Sequence, residues 1–373
     1  MFLKEPNMIR VLIVEDSPVE QELLAHILSA DPLVSVVGIA KDGEMALSAV
    51  EQVKPDVITM DIHMPKLNGF ETTRRIMESN PVPIIIVSGS YDANDADKCF
   101  HAMEAGALAI VRKPFGLGHP GYIDDASELI RAVKTMSEIK VVKRWSRLRK
   151  EVKAVQFPAV AARAVPDRIR MVAIGASTGG PAVIQEIFSA LPKNLAAPFL
   201  VVQHMAQGFM ENFVKWIGAT TGFPSHIAIN GEYPVPGHAY FAPDGHHMLV
   251  GKDHRIALSG EGPENGLRPS VARLFRSVAE THGPNSVGVL LTGMGRDGAD
   301  DLKLLRSKGA VTIAQDRESS VIFGMPGEAV KIDAADFILP PEGIAHLLER
   351  MIAAGNTLSR TDKSSGTREG IHL

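Results

Sequence analysis

Two long blocks of this chain share one rhythm, short apolar runs alternating with stretches whose apolar residues recur at helical spacing. Such alternation argues for βαβ units around a parallel sheet, because each short run can be buried only with helices covering both of its faces. In the first block, from Ile9 to about Lys140, strands are expected at Ile9–Val14, Val34–Ile39, Val57–Met60, Ile84–Val87 and Ala107–Val111. The second begins at Ile169, with strands expected near Met171–Gly175, Phe199–Gln203, Ser286–Thr292 and Val311–Ala314 and a helix after each. Around His238–Ala257 two apolar runs flank Pro243-Asp244-Gly245, which reads as a β-hairpin inserted into that framework.

A length of 373 residues suits two domains of ordinary size, and 45% hydrophobic with 22% charged residues is a folded, globular composition. The expected division is a first domain over 8–140, a linker over 141–168, a second domain over 169–355 and a flexible tail over 356–373. The linker carries Lys143, Arg144, Arg147, Arg149, Lys150 and Lys153, which read as a solvated basic face. With a net charge of −4 the chain has no general field for nucleic acid, and none is expected as a partner. Cys99, the single cysteine, excludes an intramolecular disulfide and a cysteine-cluster zinc site. Lys4, Glu5 and Pro6 interrupt any secretory h-region, and no apolar stretch approaches the ~18 residues of a membrane span. A cytoplasmic protein without membrane insertion is expected.

The chemistry-bearing residues fall at strand ends. Glu15 and Asp16 follow the first strand and Asp61 the third, so a parallel sheet carries all three to its carboxyl edge. Carboxylates gathered there repel unless a cation intervenes, and an oxygen-only ligand set suits Mg2+. Ser88 and Lys113 close the fourth and fifth strands, adding a hydroxyl and a positive charge placed to hold a phosphoryl group on Asp61. A helix-capping role explains any one of these acids but not five matching positions together.

This segment closely resembles the receiver domain of two-component response regulators, through Val14-Glu15-Asp16-Ser17, Asp61-Ile62-His63-Met64-Pro65-Lys66-Leu67-Asn68-Gly69, Val87-Ser88-Gly89 and Lys113-Pro114. The resemblance implies a flavodoxin-like five-stranded fold. It also implies phosphorylation of Asp61 by a phosphohistidine kinase, with Mg2+ held by Glu15, Asp16 and Asp61. Lys113-Pro114 becomes a candidate cis peptide. Glu15 stands where Asp is more usual, and Ile110 where many receivers carry an aromatic switch residue, so an aromatic flip is not carried over.

In the second block, Val172-Ala173-Ile174-Gly175-Ala176-Ser177-Thr178-Gly179-Gly180-Pro181 is a strand, a small-residue turn and a helix start. Such a turn can cradle phosphate or expose a serine beside backbone donors. The glycine spacing matches neither the dinucleotide fingerprint nor a P-loop, and the next strand ends in Gln203-His204 instead of an acid, which weakens a nucleotide site. A serine nucleophile needs a base and the base an orienter. His204 follows the next strand and Asp297 the strand Val287–Thr292, while His238, His246 and His247 remain rivals by spacing alone.

From Arg170 to about Met351 the chain resembles the chemotaxis methylesterases. The matching text is Ile174–Gly180, Val202-Gln203-His204-Met205, Leu291–Ala299, Ala314-Gln315-Asp316, Ser319-Ser320-Val321 and Phe323-Gly324-Met325-Pro326. That resemblance implies a doubly wound, mainly parallel α/β hydrolase-type domain with the inserted hairpin. It implies Ser177 as nucleophile, His204 as base, Asp297 as orienter and the backbone N–H of Met294 as an oxyanion donor, with no cofactor for the esterase. Methyl-accepting chemotaxis receptors are the implied substrates, a chemotaxis histidine kinase the implied phosphodonor, and glutamine deamidation a second activity. The competing reading is a response regulator with a DNA-binding output, but no helix-turn-helix signature follows the first block.

Overall fold

The computed structural model describes residues 8–89, 101–139, 141 and 169–361, with side chains to residue 353. Cys99, the basic run from Lys143 to Lys153 and the tail from residue 362 lie outside the described residues. Two compact units are present, each built on its own sheet.

In the first unit, strands β1 (Ile9–Val14), β2 (Val34–Ala40), β3 (Val57–Met60), β4 (Ile84–Ser88) and β5 (Ala109–Arg112) pair in the order β2-β1-β3-β4-β5. Every pairing is parallel. Leu12, Val14, Ile58, Met60, Ile84 and Ile86 bury one face against Ala46, Val50, Ile76 and Met77. Val11 and Ile13, one step out of phase, serve the opposite face, where the helices Pro18–Ser29 and Tyr122–Ser137 pack. Local chemistry starts the helices: Pro18 sits in the first turn, Asp42 accepts from Met45 N at 2.9 Å, and Asn68 accepts from Glu71 N at 2.9 Å.

The second unit holds a seven-stranded sheet, again wholly parallel. Its strands β6 (Met171–Ala176), β7 (Phe199–Gln203), β8 (Ser225–Ile227), β9 (Ala239–Phe241), β12 (Ser286–Leu290), β13 (Val311–Gln315) and β14 (Phe337–Leu339) pair in the order β14-β13-β12-β6-β7-β9-β8. Met171, Ala173, Leu200 and Val202 face Val271, Leu274, Phe275 and Val278 of the helix Val271–Thr281. On the other side Phe188, from the helix Gly180–Ala190, meets the Phe199 ring edge-on at 5.6 Å and stacks on Phe223 at 4.7 Å. Helices on both faces of one sheet make the unit doubly wound.

The inserted hairpin exists but turns elsewhere than its sequence suggests. β10 (His247–Val250) and β11 (Ile256–Ser259) pair antiparallel as a separate two-stranded sheet, closed where Gly251 N donates to Arg255 O at 2.8 Å. Pro243-Asp244-Gly245 instead carries the chain out of the large sheet, because the run before it, β9, is taken up between β7 and β8. Turn residues report a change of direction and not which strand the next run will pair with. A second difference concerns proline: Lys113–Pro114 is trans, and the cis peptide among the described residues is Arg268–Pro269.

Candidate functional site

In each sheet the winding reverses beside its first strand, between β1 and β3 and between β6 and β12, and such a switch point opens a crevice at the carboxyl edge. Both sets of candidate residues lie at these crevices.

In the first, Asp61 N donates to Val14 O at 2.9 Å, holding the end of β3 against the end of β1. Carboxylate oxygens of Glu15, Asp16 and Asp61 come within 4.8 Å of one another, with Glu15 and Asp61 buried and Asp16 exposed. The loop can turn back this tightly because Gly69 lies on it: a Cβ there would stand 2.1 Å from Asp61 O. Lys113 N donates to Ser88 O at 2.9 Å, which aligns β5 with β4, and Lys113 Nζ lies 2.8 Å from Glu15 Oε2 and 3.4 Å from Asp61 Oδ1.

Burial dominates the electrostatics of this pocket. It pushes Glu15 up to about 7 against the lowering effect of Lys113, with Asp61 adding to the rise, and it raises Asp61 as well. Burial alone would lower Lys113, but Asp61, Glu15 and Glu20 together outweigh it and raise the ammonium. Three clustered oxygen ligands, with Glu15 Oε2 shielded from solvent and without a well-aligned hydrogen bond, are a donor set that fits Mg2+.

In the second crevice, Ser177 follows β6 directly. Its N–H donates to Thr292 O at 3.0 Å, tying it to the end of β12, and His204 N donates to Ala176 O at 2.9 Å, tying β7 to β6 on the other side. Gln203 Nε2 clasps the turn by donating to both Ser177 O and His204 O, at 2.9 and 2.7 Å. Gly179 adopts φ +78°, and a Cβ there would meet Val321 at 2.5 Å. Gly293 is pressed against the serine, since a Cβ on it would stand 2.7 Å from Ser177 Cβ; the peptide that follows it belongs to Met294. Side chains from Thr292 and Gln315 lock this floor: Thr292 Oγ1 donates to Thr178 O at 2.9 Å, and Thr292 N donates to Gln315 Oε1 at 2.8 Å.

His204 Nε2 lies 3.0 Å from Asp297 Oδ2, an ion-pair distance, though not in line for a ring N–H hydrogen bond. Asp297 is itself held by the start of the helix Val271–Thr281. Oδ2 accepts from Val271 N at 2.7 Å, while Oδ1 accepts from Ser270 Oγ at 3.0 Å and Ala272 N at 3.1 Å. Burial pushes this carboxyl upward, but His204 and the two backbone donors prevail, and it is held below the usual carboxylate range.

The rival histidines are engaged elsewhere. His247 is fully buried behind Asp297, its Nδ1 accepting from Ser270 N at 3.2 Å and its Nε2 donating to Gly262 O at 3.1 Å. His238 pairs with His226 at 2.7 Å, and His246 turns back on Asp244 O. Sequence reasoning missed Ser270, and it named His247 only as a rival base and Gln315 only within a matching run, because their contacts cross from one element to another without a local spacing to mark them.

The family description "CheB methylesterase" matches residues 172–348, and "Response regulator receiver domain" matches residues 11–119. The chain is 52% identical over 350 residues to a "Protein-glutamate methylesterase/protein-glutamine glutaminase 1" of Syntrophus aciditrophicus, covering 92% of this chain and 98% of that protein. It is 53% identical over 342 residues to a numbered relative of the same name from Geobacter metallireducens, covering 91% and 98%. A crystal structure of the Thermotoga maritima CheB methylesterase catalytic domain aligns with 49% of this chain and 99% of its own, at 34% identity and a TM-score of 0.48. Identity of this degree along both units places the chain in the CheB family of protein-glutamate methylesterases/protein-glutamine glutaminases, hydrolases that here carry a response regulator receiver domain.

Proposed function

We propose that this chain hydrolyses glutamyl methyl esters on methyl-accepting chemotaxis receptors, deamidates glutamines on the same targets, and is activated when a chemotaxis histidine kinase phosphorylates Asp61. The observation that carries the hydrolytic reading is that Ser177 and His204 directly follow the adjacent strands β6 and β7, tied by His204 N donating to Ala176 O, while His204 Nε2 lies 3.0 Å from Asp297 Oδ2 in the loop after β12. In this reading Ser177 Oγ attacks the ester carbonyl and gives its proton to His204, while the Met294 N–H faces the oxyanion. Methanol leaves with that proton, and water then releases the acyl group by the same steps reversed. Asp297, kept ionised by the helix start, holds the imidazole in one orientation and stabilises its charged form. A glutamine amide entering the site would lose ammonia in place of methanol.

In the receiver, Asp61 is assigned as phosphoacceptor, with Ser88 and Lys113 holding phosphoryl oxygens. Glu15, Asp16 and Asp61 would hold Mg2+, which supplies charge neutralisation between phosphate and carboxylates. We assign the receiver to residues 8–140, the linker to 141–168 and the hydrolase to 169–355, and the cytoplasm as the compartment. The decisive experiment incubates the protein with methyl-labelled receptor, with and without acetyl phosphate and Mg2+. Methanol release that rises with the phosphodonor is expected; a folded protein releasing none under either condition overturns the reading.

A further inference from the structure

Lys113 carries one carboxylate more than phosphoacceptance requires. Besides Glu15 at 2.8 Å and Asp61 at 3.4 Å, its ammonium forms an ion pair with Glu20. Glu20 stands outside the Glu15, Asp16 and Asp61 cluster that fits a cation. It belongs to the first turn of the helix Pro18–Ser29, which is fastened to the pocket: Gln21 Nε2 donates to Glu15 O at 2.7 Å and Gln21 N to Ser17 O at 2.9 Å. The helix therefore presents Glu20 to Lys113 from a fixed base. Lys113 is largely enclosed, with its side chain 14% exposed, whereas Glu20 at 37% stands at the rim.

The charge balance of the pocket changes when Asp61 is phosphorylated. A phosphoryl group brings about two negative charges, and Glu15 and Asp16 are then committed to the cation. Lys113 is needed at a phosphoryl oxygen, but Glu20, whose ion pair among the described residues is with Lys113 alone, keeps its claim on the ammonium. We infer that Glu20 is a positioning residue that parks Lys113 in the unphosphorylated receiver and competes with the phosphoryl group for it. The inference rests on the assignment of Asp61 as phosphoacceptor.

The test titrates the full chain with beryllofluoride in the presence of Mg2+, following bound fluoride by 19F NMR, and repeats it for E20Q, D61N, K113Q and the E20Q/K113Q pair. E20Q is expected to bind about two- to fivefold tighter, the size of one half-exposed ion pair. The gain should vanish in the K113Q background, as a double-mutant cycle requires when one residue acts through another. E20Q binding no tighter than the parent, or gaining equally without Lys113, overturns the inference while leaving Asp61 in its role. A parent chain that takes up no beryllofluoride, or a D61N chain that takes up as much, overturns the phosphoacceptor assignment instead.

Discussion

Asp297 illustrates how a carboxylate with only 6% of its surface exposed stays charged: backbone amides at a helix start and one serine hydroxyl replace the water it lost. Ser270→Ala should remove one of these bonds, worth about 1.5–3 kcal/mol to a charged acceptor, and lower kcat while leaving KM for receptor nearly unchanged. Ser177→Ala should lower methanol release by roughly 10^6-fold and leave acetyl phosphate labelling of Asp61 intact; retained hydrolysis would remove the serine from its role. His282 offers a pH test. Burial lowers it to about 4, helped by His254 and Arg170, so the unfolded chain binds the proton more readily. Its contribution to stability is present above about 6.5 and is lost as pH falls toward 4, and His282→Gln should flatten the melting temperature across that window. At this scale the sequence points to Ser177, His204, Asp297 and Asp61 because each sits in a long motif. Ser270 and Glu20 were not legible, nor was the structural place of His247, since their partners lie in other elements.

Elements owe their precision to small residues. The helix Gly180–Ala190 can start beside Ser177 only because a side chain is missing at Gly180, where a Cβ would fall 2.1 Å from Gln203 Oε1. At Gly179 the backbone adopts φ +78° and the neighbour is Val321. Gly179→Ala is expected to cost about 1–3 kcal/mol in denaturant unfolding and to abolish ester hydrolysis, by turning Ser177 out of its crevice. Wild-type stability and activity in that variant would show that the turn tolerates a side chain. Strand existence was readable from apolar runs, and β1, β3 and β7 fall where expected. Strand partnership was not: β9 and β10 flank one turn signal yet join different sheets, and the three-residue strands β8 and β14 are too short to make a periodic signal.

Across the whole molecule one topological device recurs, a crevice where the winding of a parallel sheet reverses, and each of the two proposed chemistries falls at one of them. Control of one by the other predicts that removing the residues before Arg168 raises basal methanol release from labelled receptor, while acetyl phosphate no longer affects it. Lower activity in a folded fragment would argue instead that the receiver supports the hydrolase. The order of the second sheet also bears on biosynthesis. Thr292 and Thr178 touch although they are 114 residues apart, and none of the strands made in the interval lies between them in the sheet, since β12 pairs directly with β6. Contacts of such long separation form late. A ribosome must therefore deliver the chain beyond Met325, whose N–H donates to Gly293 O, before serine, imidazole and carboxylate can be assembled, so a truncated translation product should carry no hydrolytic activity.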